Sequence, residues 1–394
     1  MLLSERINKI HESPIRKFNP IALREERSGK KIYWLNIGQP DIETPKCFMD
    51  AIRNFDEPVL EYAQSQGYEP LNMAICSYYE HYGIDLDPED MIITTGGSEA
   101  LSFAFECVLD DGDKVMTAEP FYTNYRTFAG GCGAGVKPIM TGPEEGYFYA
   151  DRRKLEEAYD DSVKAILCTN PGNPTGVTLS PYDMDIIGEF ARDHDLWIIS
   201  DEVYREFCYD SKPNSFAMKK DLADRLIIID SISKRFSACG ARIGALISKN
   251  KELIAAALKL AQGRLCTGTL DQIGAAELFK LPASYYDAVR AEYMGRRDAF
   301  YEEIMKAPGV LCEKPGGAFY MTIKLPVDNA EGFLMFMLTE FTDNNETVMF
   351  TPAESFYGTP GRGKDEIRIA YVLKKEDVRR AAELLRMGLE VYNK

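Results

Sequence analysis

The residue best suited to covalent chemistry in this sequence is a lysine that follows an apolar run. Residues 226–229, Leu-Ile-Ile-Ile, predict a buried strand, and Lys234 comes five residues after that run. Burying a charged lysine is unfavourable unless the charge is neutralised or the amine takes part in chemistry. One common reaction is formation of a Schiff base between the deprotonated amine and an aldehyde cofactor. Groups that could hold a phosphate stand nearby in sequence, namely Ser231, Ser233 and Arg242. A surface lysine just past a strand end is the alternative, and this stretch alone does not decide between them.

A glycine pair and an aromatic cluster follow two other predicted strands. The glycine pair Gly96-Gly97, followed by Ser98, comes directly after the strand predicted at 91–95, where a helix would begin. Free backbone N–H groups and the helix dipole favour a phosphate at such a position, although a plain turn is the simpler interpretation. Tyr122 follows the strand predicted at 114–118, where aromatic rings either pack in a core or stack on a flat ligand. The chain has neither the dinucleotide-binding glycine motif nor a P-loop.

Amide, carboxylate and guanidinium groups follow or lie on three further strands. Two Asn-Pro steps in residues 170–176 favour a rigid turn, which would hold the Asn173 amide over a pocket. Asp201 ends a buried strand, where its carboxylate needs a cation or a proton donor, and Tyr204 follows three residues later. Arg368 lies in an alternating strand and could bind a carboxylate through two parallel hydrogen bonds. Taken singly, a helix N-cap for Asp201 and a surface ion pair for Arg368 are the alternatives.

Strands and helices alternate through the middle of the chain. Seven apolar strands are predicted at 91–95, 114–118, 136–140, 164–168, 196–200, 226–230 and 243–247, with helical patterns between most of them. This alternation predicts an α/β fold, in which a mostly parallel seven-stranded sheet is covered by helices. Ligands bind such sheets beyond the carboxyl ends of the strands, and the residues described above lie there.

The two ends of the chain predict a second, smaller unit. The N-terminal residues predict an arm, a short helix and a strand at 32–37. The C-terminal part predicts a helix over about 284–305, a strand at 317–324, a helix from 331, a strand at 366–371 and a helix from 375. We therefore expect a large ligand-binding domain at 45–283. A smaller α+β domain would be formed by 1–44 together with 284–394.

Composition and charge limit the partners of the protein. The chain has 394 residues, of which 45% are hydrophobic and 27% charged, and these are ordinary values for a globular protein. Its net charge of −16 argues against nucleic acid or an anionic membrane as a partner. No apolar run is long enough to span a bilayer, and residues 1–9 do not resemble a signal peptide, so we expect a cytoplasmic protein.

Cysteine and histidine usage disfavours a metal centre. The nine cysteines are scattered and never form C-x-x-C, which fits reduced thiols better than disulfides or a zinc site. The three histidines, His11, His81 and His194, are far apart in sequence. We therefore expect no metal and no Ser-His-Asp triad.

Taken together and in this order, the motifs resemble those of the fold-type I aminotransferases that depend on pyridoxal 5'-phosphate (PLP), the class I/II group of the aspartate aminotransferase superfamily. The matching motifs are N-P-G-N-P-T-G at 170–176, D-E-V-Y at 201–204 and S-x-S-K-x7-R at 231–242. The resemblance extends from Gly38 to Arg368, nearly the whole chain. It implies an enzyme that uses PLP to move an amino group from an L-amino acid to a 2-oxo acid.

The resemblance also implies a role for each residue. Lys234 would form the internal aldimine and carry the proton between substrate and cofactor, and Asp201 would keep the pyridine nitrogen protonated. Asn173 and Tyr204 would hydrogen-bond the phenolic oxygen of the ring, and Tyr122 would stack on the ring. The phosphate would be held by Gly97, Ser98, Ser231, Ser233 and Arg242. The substrate carboxylate would be bound by Arg368, with Gly38 and Asn173 beside it.

Two residues concern a neighbouring subunit. Tyr62 matches the tyrosine that reaches the phosphate of the adjacent subunit in this family, which implies a homodimer with shared active sites. Arg264 lies in a segment that the family often brings toward the neighbouring site, and it is a candidate for binding a side-chain carboxylate. An exposed helix arginine is the simpler interpretation. Some aspartate-specific relatives carry lysine where this chain has Ser98, which disfavours aspartate as substrate.

Other functions remain open at this point. The same pocket would support a PLP-dependent C–S β-lyase or another reaction of the same fold. A PLP-binding regulatory module is disfavoured because 394 residues leave no room for a DNA-binding segment and the charge is negative. A cofactor-free α/β protein is the third alternative, and visible absorption of the purified protein distinguishes it from the others.

Overall fold

The computed structural model describes Ile7 and residues 14–394, which contain twelve strands and thirteen α-helices. The strands are β1 (Lys31–Trp34), β2 (Met91–Thr95), β3 (Lys114–Glu119), β4 (Gly135–Met140), β5 (Val163–Thr169), β6 (Trp197–Asp201), β7 (Leu226–Ser231), β8 (Ile243–Ile247), β9 (Tyr320–Lys324), β10 (Glu346–Met349), β11 (Thr351–Pro352) and β12 (Glu366–Ala370). The helices are α1 (Asn19–Arg27), α2 (Lys46–Arg53), α3 (Glu69–Glu80), α4 (Gly96–Val108), α5 (Asn124–Gly131), α6 (Arg152–Ala158), α7 (Pro181–Asp193), α8 (Ile232–Arg235), α9 (Lys251–Arg264), α10 (Thr269–Leu278), α11 (Ala283–Ile304), α12 (Ala330–Thr339) and α13 (Lys375–Tyr392).

A seven-stranded sheet forms the centre of the molecule, in the order β2-β8-β7-β6-β5-β3-β4. Each of the seven predicted strands is present, and no end differs from the prediction by more than one residue. Strands β3 to β7 pair in parallel, whereas β8 runs antiparallel to both of its neighbours. The predicted fold class, a mostly parallel sheet covered by helices, is therefore confirmed.

Both faces of this sheet are buried, which explains why its strands are almost entirely apolar. On β7, Ile227 and Ile229 face the hydrophobic cluster that contains residues of α4 and α9. Ile228, between them, faces the opposite cluster, which contains residues of α3 and α7. Successive side chains of a strand point to opposite faces, so a strand covered on both sides favours apolar residues at successive positions.

Two small sheets join the ends of the chain. Strands β11, β12 and β9 form an antiparallel sheet, and β1 pairs in parallel with β10, with Lys31 opposite Glu346. Residues of the N-terminal arm, such as Phe18 and Ile32, share a hydrophobic cluster with residues of the C-terminal helices. The strand predicted at 32–37 is shorter than expected and ends at Trp34. The beginning of the predicted arm, including His11, lies outside the described residues.

Several general properties follow from the described part of the chain. None of its helices is long and apolar enough to cross a lipid bilayer. All nine cysteines are free thiols. Among these residues, no group of three or more histidine, cysteine, aspartate or glutamate side chains is placed to hold a metal ion.

Candidate active site

A cavity of about 450 Å³ opens at the edge of the large sheet where strands β5, β6 and β7 end. It is lined by twelve of the thirteen residues that the sequence predicted for the site: Gly38, Gly97, Ser98, Tyr122, Asn173, Asp201, Tyr204, Ser231, Ser233, Lys234, Arg242 and Arg368. Tyr62 is the exception. Parallel strands place their carboxyl ends at one edge, so residues distant in sequence meet there.

The antiparallel strand β8 explains how Arg242 reaches the same edge. Arg242 precedes β8, and the register pairs Ile243 with Thr95 at the end of β2 and Gly244 with Ser231 at the end of β7. A strand of opposite direction begins at the edge where its neighbours end. The start of β8 therefore brings Arg242 beside the carboxyl ends of β2 and β7.

Lys234 lies on the short helix α8, directly after the fully buried strand β7. The Ser231 side chain caps this helix by accepting a hydrogen bond from the Ser233 N–H at 3.1 Å. Ile232 and Arg235 are buried, whereas Lys234 is half-buried and lines the cavity. Its Nζ donates to the Gly38 carbonyl at 2.8 Å and lies 4.0 Å from the Cys239 Sγ. The amine is thus held at the cavity by the segment that follows β1.

Asp201 is a buried carboxylate at the floor of the cavity. Its Oδ2 accepts a hydrogen bond from the Tyr125 hydroxyl at 2.7 Å, and its Oδ1 lies 3.4 Å from the Val203 N–H. Burial raises the pKa of Asp201 from its ordinary 3.8 to about 6, although the Tyr125 hydrogen bond opposes this shift. A carboxylate of this kind gains most from a cationic or N–H partner within the cavity.

An anion cradle lies at the N-terminus of α4. Gly97 and Ser98 line the cavity in the first turn of this helix, and the side chain of its N-cap residue, Thr95, does not cap it. The Glu99 carboxylate accepts a hydrogen bond from the Thr95 N–H at 2.7 Å. Gly96 has φ +72°, and a Cβ at this position would lie 2.5 Å from the Arg242 Nη2. The absence of a side chain there lets the guanidinium approach the helix N-terminus. The N–H groups of the first helical turn, the helix dipole and Arg242 together suit a bound phosphate.

We expect Gly244→Ala to damage this cradle. A Cβ at Gly244 would lie 2.5 Å from the Gly96 carbonyl carbon and 2.7 Å from the Gly97 nitrogen, both of them backbone atoms. The backbone of α4 would have to move, which should destabilise the protein by about 1–3 kcal/mol. Urea unfolding measures the loss of stability, and titration of the purified protein with inorganic phosphate measures the damage to the cradle.

Gly240→Ala is the matched control, because no heavy atom lies within 4 Å of a Cβ placed there. If Gly244→Ala unfolds at the same urea concentration as the Gly240→Ala variant and binds phosphate equally well, the close backbone contact is unimportant.

Arg368 is a buried cation for which residues 14–394 provide no acidic partner. Its side chain is only 1% exposed, and its Nη1 donates to the Asn173 Oδ1 at 3.3 Å. Its Nη2 donates to the Asn36 carbonyl at 2.6 Å, and its Nε has no hydrogen-bond partner in residues 14–394. Burial lowers the pKa of Arg368. A buried guanidinium with unused donor capacity at a cavity favours a bound carboxylate.

Comparison with known proteins identifies the family. The family model "Aminotransferase class I and II" matches residues 30–385. The chain belongs to this family. It is 31% identical, over 98% of its length and 99% of the relative's, to the (5-formylfuran-3-yl)methyl phosphate transaminase of Methanocaldococcus jannaschii. It is 28% identical over the full length of both chains to the aspartate aminotransferase of Bacillus subtilis.

Solved structures agree with this assignment. The alanine aminotransferase of Pyrococcus furiosus superposes with a TM-score of 0.90 at 27% identity, covering 99% of this chain and all of that one. The chain is therefore a PLP-dependent transaminase.

The residues of the cavity fit the cofactor of the family. PLP carries a phosphate, a ring nitrogen and an aldehyde, and the aminotransferase offers each of them a suitable partner. The cradle of Gly96, Gly97 and Arg242 suits the phosphate, and the buried Asp201 suits a protonated ring nitrogen. Lys234 provides an amine beside them. These are the groups that such a cofactor requires.

Aromatic residues form one wall of the aminotransferase cavity. The Tyr122 ring meets the Tyr125 ring edge-on at 5.5 Å, and the Asn124 Nδ2 donates to the Tyr122 hydroxyl at 2.8 Å. The Tyr204 hydroxyl lies 3.0 Å from that of Tyr320. Burial raises the pKa of Tyr122 to about 12 and that of Tyr204 well above its ordinary value, so both phenols stay protonated at neutral pH.

Sequence reasoning missed three residues that support the site. The Tyr125 hydroxyl donates a hydrogen bond to Asp201, and the Tyr320 hydroxyl contacts that of Tyr204. The Asn36 carbonyl accepts a hydrogen bond from Arg368. Tyr125 belongs to the aromatic cluster noticed after β3, so a signal for it existed. Tyr320 and Asn36 belong to segments predicted as strands and had no distinguishing spacing.

A buried polar network lies beneath the helix that carries Lys234. Arg235 pairs with Asp230, and the Tyr79 hydroxyl donates to the other oxygen of that carboxylate at 3.0 Å. The Arg235 guanidinium also lies 4.6 Å from the centre of the Tyr78 ring. All four residues are buried. The network anchors α8 from below, while Lys234 remains directed toward the cavity.

The structure does not bring Tyr62 or Arg264 to this cavity. Tyr62 lies between α2 and α3 and is 79% exposed. The Arg264 Nη2 donates to the Ile93 carbonyl at 2.9 Å, and its Nε lies 3.2 Å from Glu99. Within one chain, Arg264 is therefore engaged against α4 rather than free to bind a ligand.

Proposed function

We propose that the cavity binds PLP at Lys234 and there exchanges an amino group between an L-amino acid and a 2-oxo acid. The observation that carries this proposal is that one cavity joins an amine, a buried carboxylate and a buried guanidinium. These groups belong to Lys234, Asp201 and Arg368. They match, respectively, the aldehyde and ring nitrogen of the cofactor and the carboxylate of the substrate.

Lys234 would move the proton during the reaction. When bound, PLP supplies a conjugated ring that accepts the electron pair left at the substrate α-carbon. The Lys234 Nζ would take the proton from the substrate α-carbon and deliver it to the carbon atom of the cofactor's aldehyde group. The Gly38 carbonyl accepts a hydrogen bond from this nitrogen at 2.8 Å and so holds the amine beside the segment that follows β1.

The remaining residues would hold and orient the cofactor. Asp201 would keep a proton on the ring nitrogen, since a buried carboxylate is stabilised by such a partner. The phenol of Tyr204 and the Asn173 amide would donate to the phenolic oxygen of the ring, while Tyr122 would stack on its face. The phosphate would be bound by Gly97, Ser98, Ser231, Ser233 and Arg242.

Arg368 would bind the α-carboxylate of both substrates. We expect Arg368→Gln to lower kcat/KM about 100-fold or more, mainly through KM, because a bidentate charged contact is lost. Steady-state kinetics with an amino acid and with a 2-oxo acid measure this effect.

Arg386→Gln provides the comparison, since that arginine pairs with Glu303 on α11. It should retain wild-type kinetics. Equal KM values for Arg368→Gln and the wild type would remove Arg368 from the substrate site.

A half-reaction screen tests the proposed reaction. The PLP-loaded protein is mixed with single amino acids, and the visible absorption of the cofactor is followed. Loss of that absorption together with release of the matching 2-oxo acid supports transamination. Release of pyruvate and ammonia without an acceptor supports a C–S β-lyase instead. Unchanged absorption with every amino acid contradicts both reactions.

We further propose that the enzyme is a homodimer with shared active sites. Val59, Leu60 and Tyr62 form an exposed segment whose side chains are 63%, 55% and 79% accessible. Consecutive large apolar side chains on a surface favour contact with another protein surface. Tyr62 would reach the phosphate of the adjacent subunit. Sedimentation of the wild type should give twice the chain mass, and a monomer would contradict this arrangement.

The domain division and the compartment are also proposals. Pairing of β1 with β10 supports a small domain made of 1–44 and 284–394, beside a large domain at 45–283. The nine free thiols suit a reducing compartment, which supports the cytoplasm.

A further inference from the structure

Tyr320 contacts both the substrate-binding arginine and a residue assigned to the cofactor. It is 3% exposed and lines the cavity. Strands β9 and β12 pair antiparallel, with Tyr320 opposite Ala370, two residues from Arg368. Residues two positions apart on a strand share a face, so Tyr320 and Arg368 are diagonal neighbours on one face of this small sheet.

The ring of Tyr320 contacts Arg368. The Arg368 Cζ lies 4.7 Å from the centre of the Tyr320 ring and 5.0 Å from that of the Phe356 ring. A guanidinium is planar, and contact with aromatic rings constrains the plane in which it presents its donors. The Tyr320 ring therefore helps to orient the group that would bind the substrate carboxylate.

The hydroxyl of Tyr320 contacts Tyr204, at an oxygen–oxygen distance of 3.0 Å. Its position is constrained by the backbone, because a Cβ on Gly38 would overlap the Tyr320 hydroxyl. The Gly38 carbonyl also accepts the hydrogen bond from the Lys234 Nζ at 2.8 Å. The Tyr320 hydroxyl thus packs against the same backbone that holds the reacting amine.

A phenol has one proton to donate, and this decides the direction of the hydrogen bond between the two tyrosines. In the proposed function, Tyr204 donates its proton to the phenolic oxygen of the cofactor. The contact between the two hydroxyls must then use the proton of Tyr320, with the Tyr204 oxygen as acceptor. A hydroxyl that accepts one hydrogen bond donates a stronger one, since the two bonds polarise each other.

We propose that Tyr320 is a positioning residue, whose hydroxyl donates to Tyr204 and so strengthens the hydrogen bond from Tyr204 to the ring oxygen of the cofactor. This inference rests on the proposed function of the cavity. A strong hydrogen bond makes the anionic ring oxygen a poorer acceptor for the proton on the nitrogen that Lys234 contributes. That proton is then lost at lower pH. Tyr320 therefore lowers the pH at which the visible absorption of the PLP-loaded protein changes.

Other ionisable groups face Tyr204 from neighbouring elements. Burial raises the pKa of Tyr204, and Tyr320 on β9, Asp201 at the end of β6 and Tyr122 after β3 raise it further. Arg368 on β12 also interacts electrostatically with Tyr204. Replacing Tyr320 with phenylalanine leaves Asp201, Tyr122 and Arg368 in place, so a changed titration reports on the Tyr320 hydroxyl.

A pH titration of the visible absorption of the PLP-loaded protein tests the proposal. Tyr320→Phe removes the hydroxyl but keeps the ring against Arg368. We expect it to raise the midpoint of the absorption change by about 0.5–1 pH unit, the effect of one lost hydrogen bond. The KM for a reacting amino acid should stay within about twofold of the wild-type value, because the carboxylate contact is kept.

Tyr371→Phe is the matched control. It removes a buried hydroxyl that donates to the Ala318 carbonyl at 3.1 Å, just before β9, and Tyr371 does not line the cavity. It should leave the midpoint unchanged. In a Tyr204→Phe background, Tyr320→Phe should cause no further shift, since its hydroxyl acts through that of Tyr204.

Three results would overturn the role of Tyr320. The midpoint of Tyr320→Phe could equal that of the wild type, or it could shift no more than that of Tyr371→Phe. The shift could also be as large in the Tyr204→Phe background as in the wild type, which would show that Tyr320 does not act through Tyr204.

The half-reaction screen separates this inference from the function on which it rests. If the wild type converts an amino acid and Tyr320→Phe titrates at the wild-type pH, only the role of Tyr320 fails. A shifted midpoint in a protein that converts no amino acid would support the hydrogen bond through Tyr204 and contradict transamination.

Discussion

Replacing Lys234 with alanine is expected to lower the rate of transamination by about four orders of magnitude. The substitution removes both the amine that binds the cofactor and the base that moves the α-carbon proton, and proton transfer alone contributes about 10²- to 10⁴-fold. Steady-state turnover measures the loss. A second readout is the visible absorption that remains after gel filtration, which should fall because the covalent attachment is lost.

Lys280→Ala serves as the control for Lys234→Ala. The Lys280 side chain is 60% exposed and pairs with Glu277 on α10, and Lys280 does not line the cavity. It should keep wild-type turnover and absorption. Turnover within about tenfold of the wild type in Lys234→Ala would contradict the role of this lysine in proton transfer.

Asp201→Asn should lower kcat by about 10²- to 10³-fold, the size of effect expected when one preorganised charge is lost from an active site. The asparagine side chain has nearly the same shape as that of aspartate, but it carries no negative charge. It therefore cannot stabilise the protonated form of the ring nitrogen. Turnover at saturating substrate measures the effect. An unchanged kcat would mean that the carboxylate is not used.

The same substitution should stabilise the cofactor-free protein. The folded-state pKa of Asp201 is about 6, above its ordinary 3.8, so folding favours the protonated form. The destabilisation by the charged carboxylate is therefore absent below about pH 4, grows as the pH rises and is complete above about pH 6. A shift of this size corresponds to about 2–3 kcal/mol.

Urea unfolding of the cofactor-free protein at about pH 8 and about pH 4 tests whether the charged Asp201 carboxylate destabilises the fold. Asp201→Asn should be more stable than the wild type at the higher pH, and the difference should shrink at the lower pH. Asp195→Asn is the control, because that side chain is 98% exposed. Equal stability of Asp201→Asn and the wild type at the higher pH would show that the buried carboxylate is adequately solvated.

Local pattern was sufficient to predict the large sheet. Strand β7 begins with four consecutive apolar residues, a composition typical of a strand buried on both faces. Helix α7 also has local signals at its beginning, since Ser180 caps it by accepting a hydrogen bond from the Asp183 N–H and Pro181 is its first residue. Such signals arise from neighbours in sequence and are therefore visible without the fold.

The smaller sheets were less visible for a physical reason. Strand β10 has only four residues, and β11 has two. Their pairing partners, β1 and β12, lie far away in sequence. A short segment becomes a strand because a partner is present, and its own composition contributes little. The antiparallel direction of β8 was also not predicted, yet it brings Arg242 to the site.

The sequence by itself determined which reactive side chains form the active site. It also indicated that most of them lie at the edge of the sheet where the parallel strands end. Lys234, Asp201, Asn173 and Arg242 stand beside predicted strand ends, and the order of their motifs indicated the family. Only the tertiary structure decided which groups are held or free. Tyr125 donates a hydrogen bond to Asp201, the Asn36 carbonyl accepts one from Arg368, and Arg264 pairs with Glu99. These contacts join residues far apart in the chain, so no local pattern encodes them.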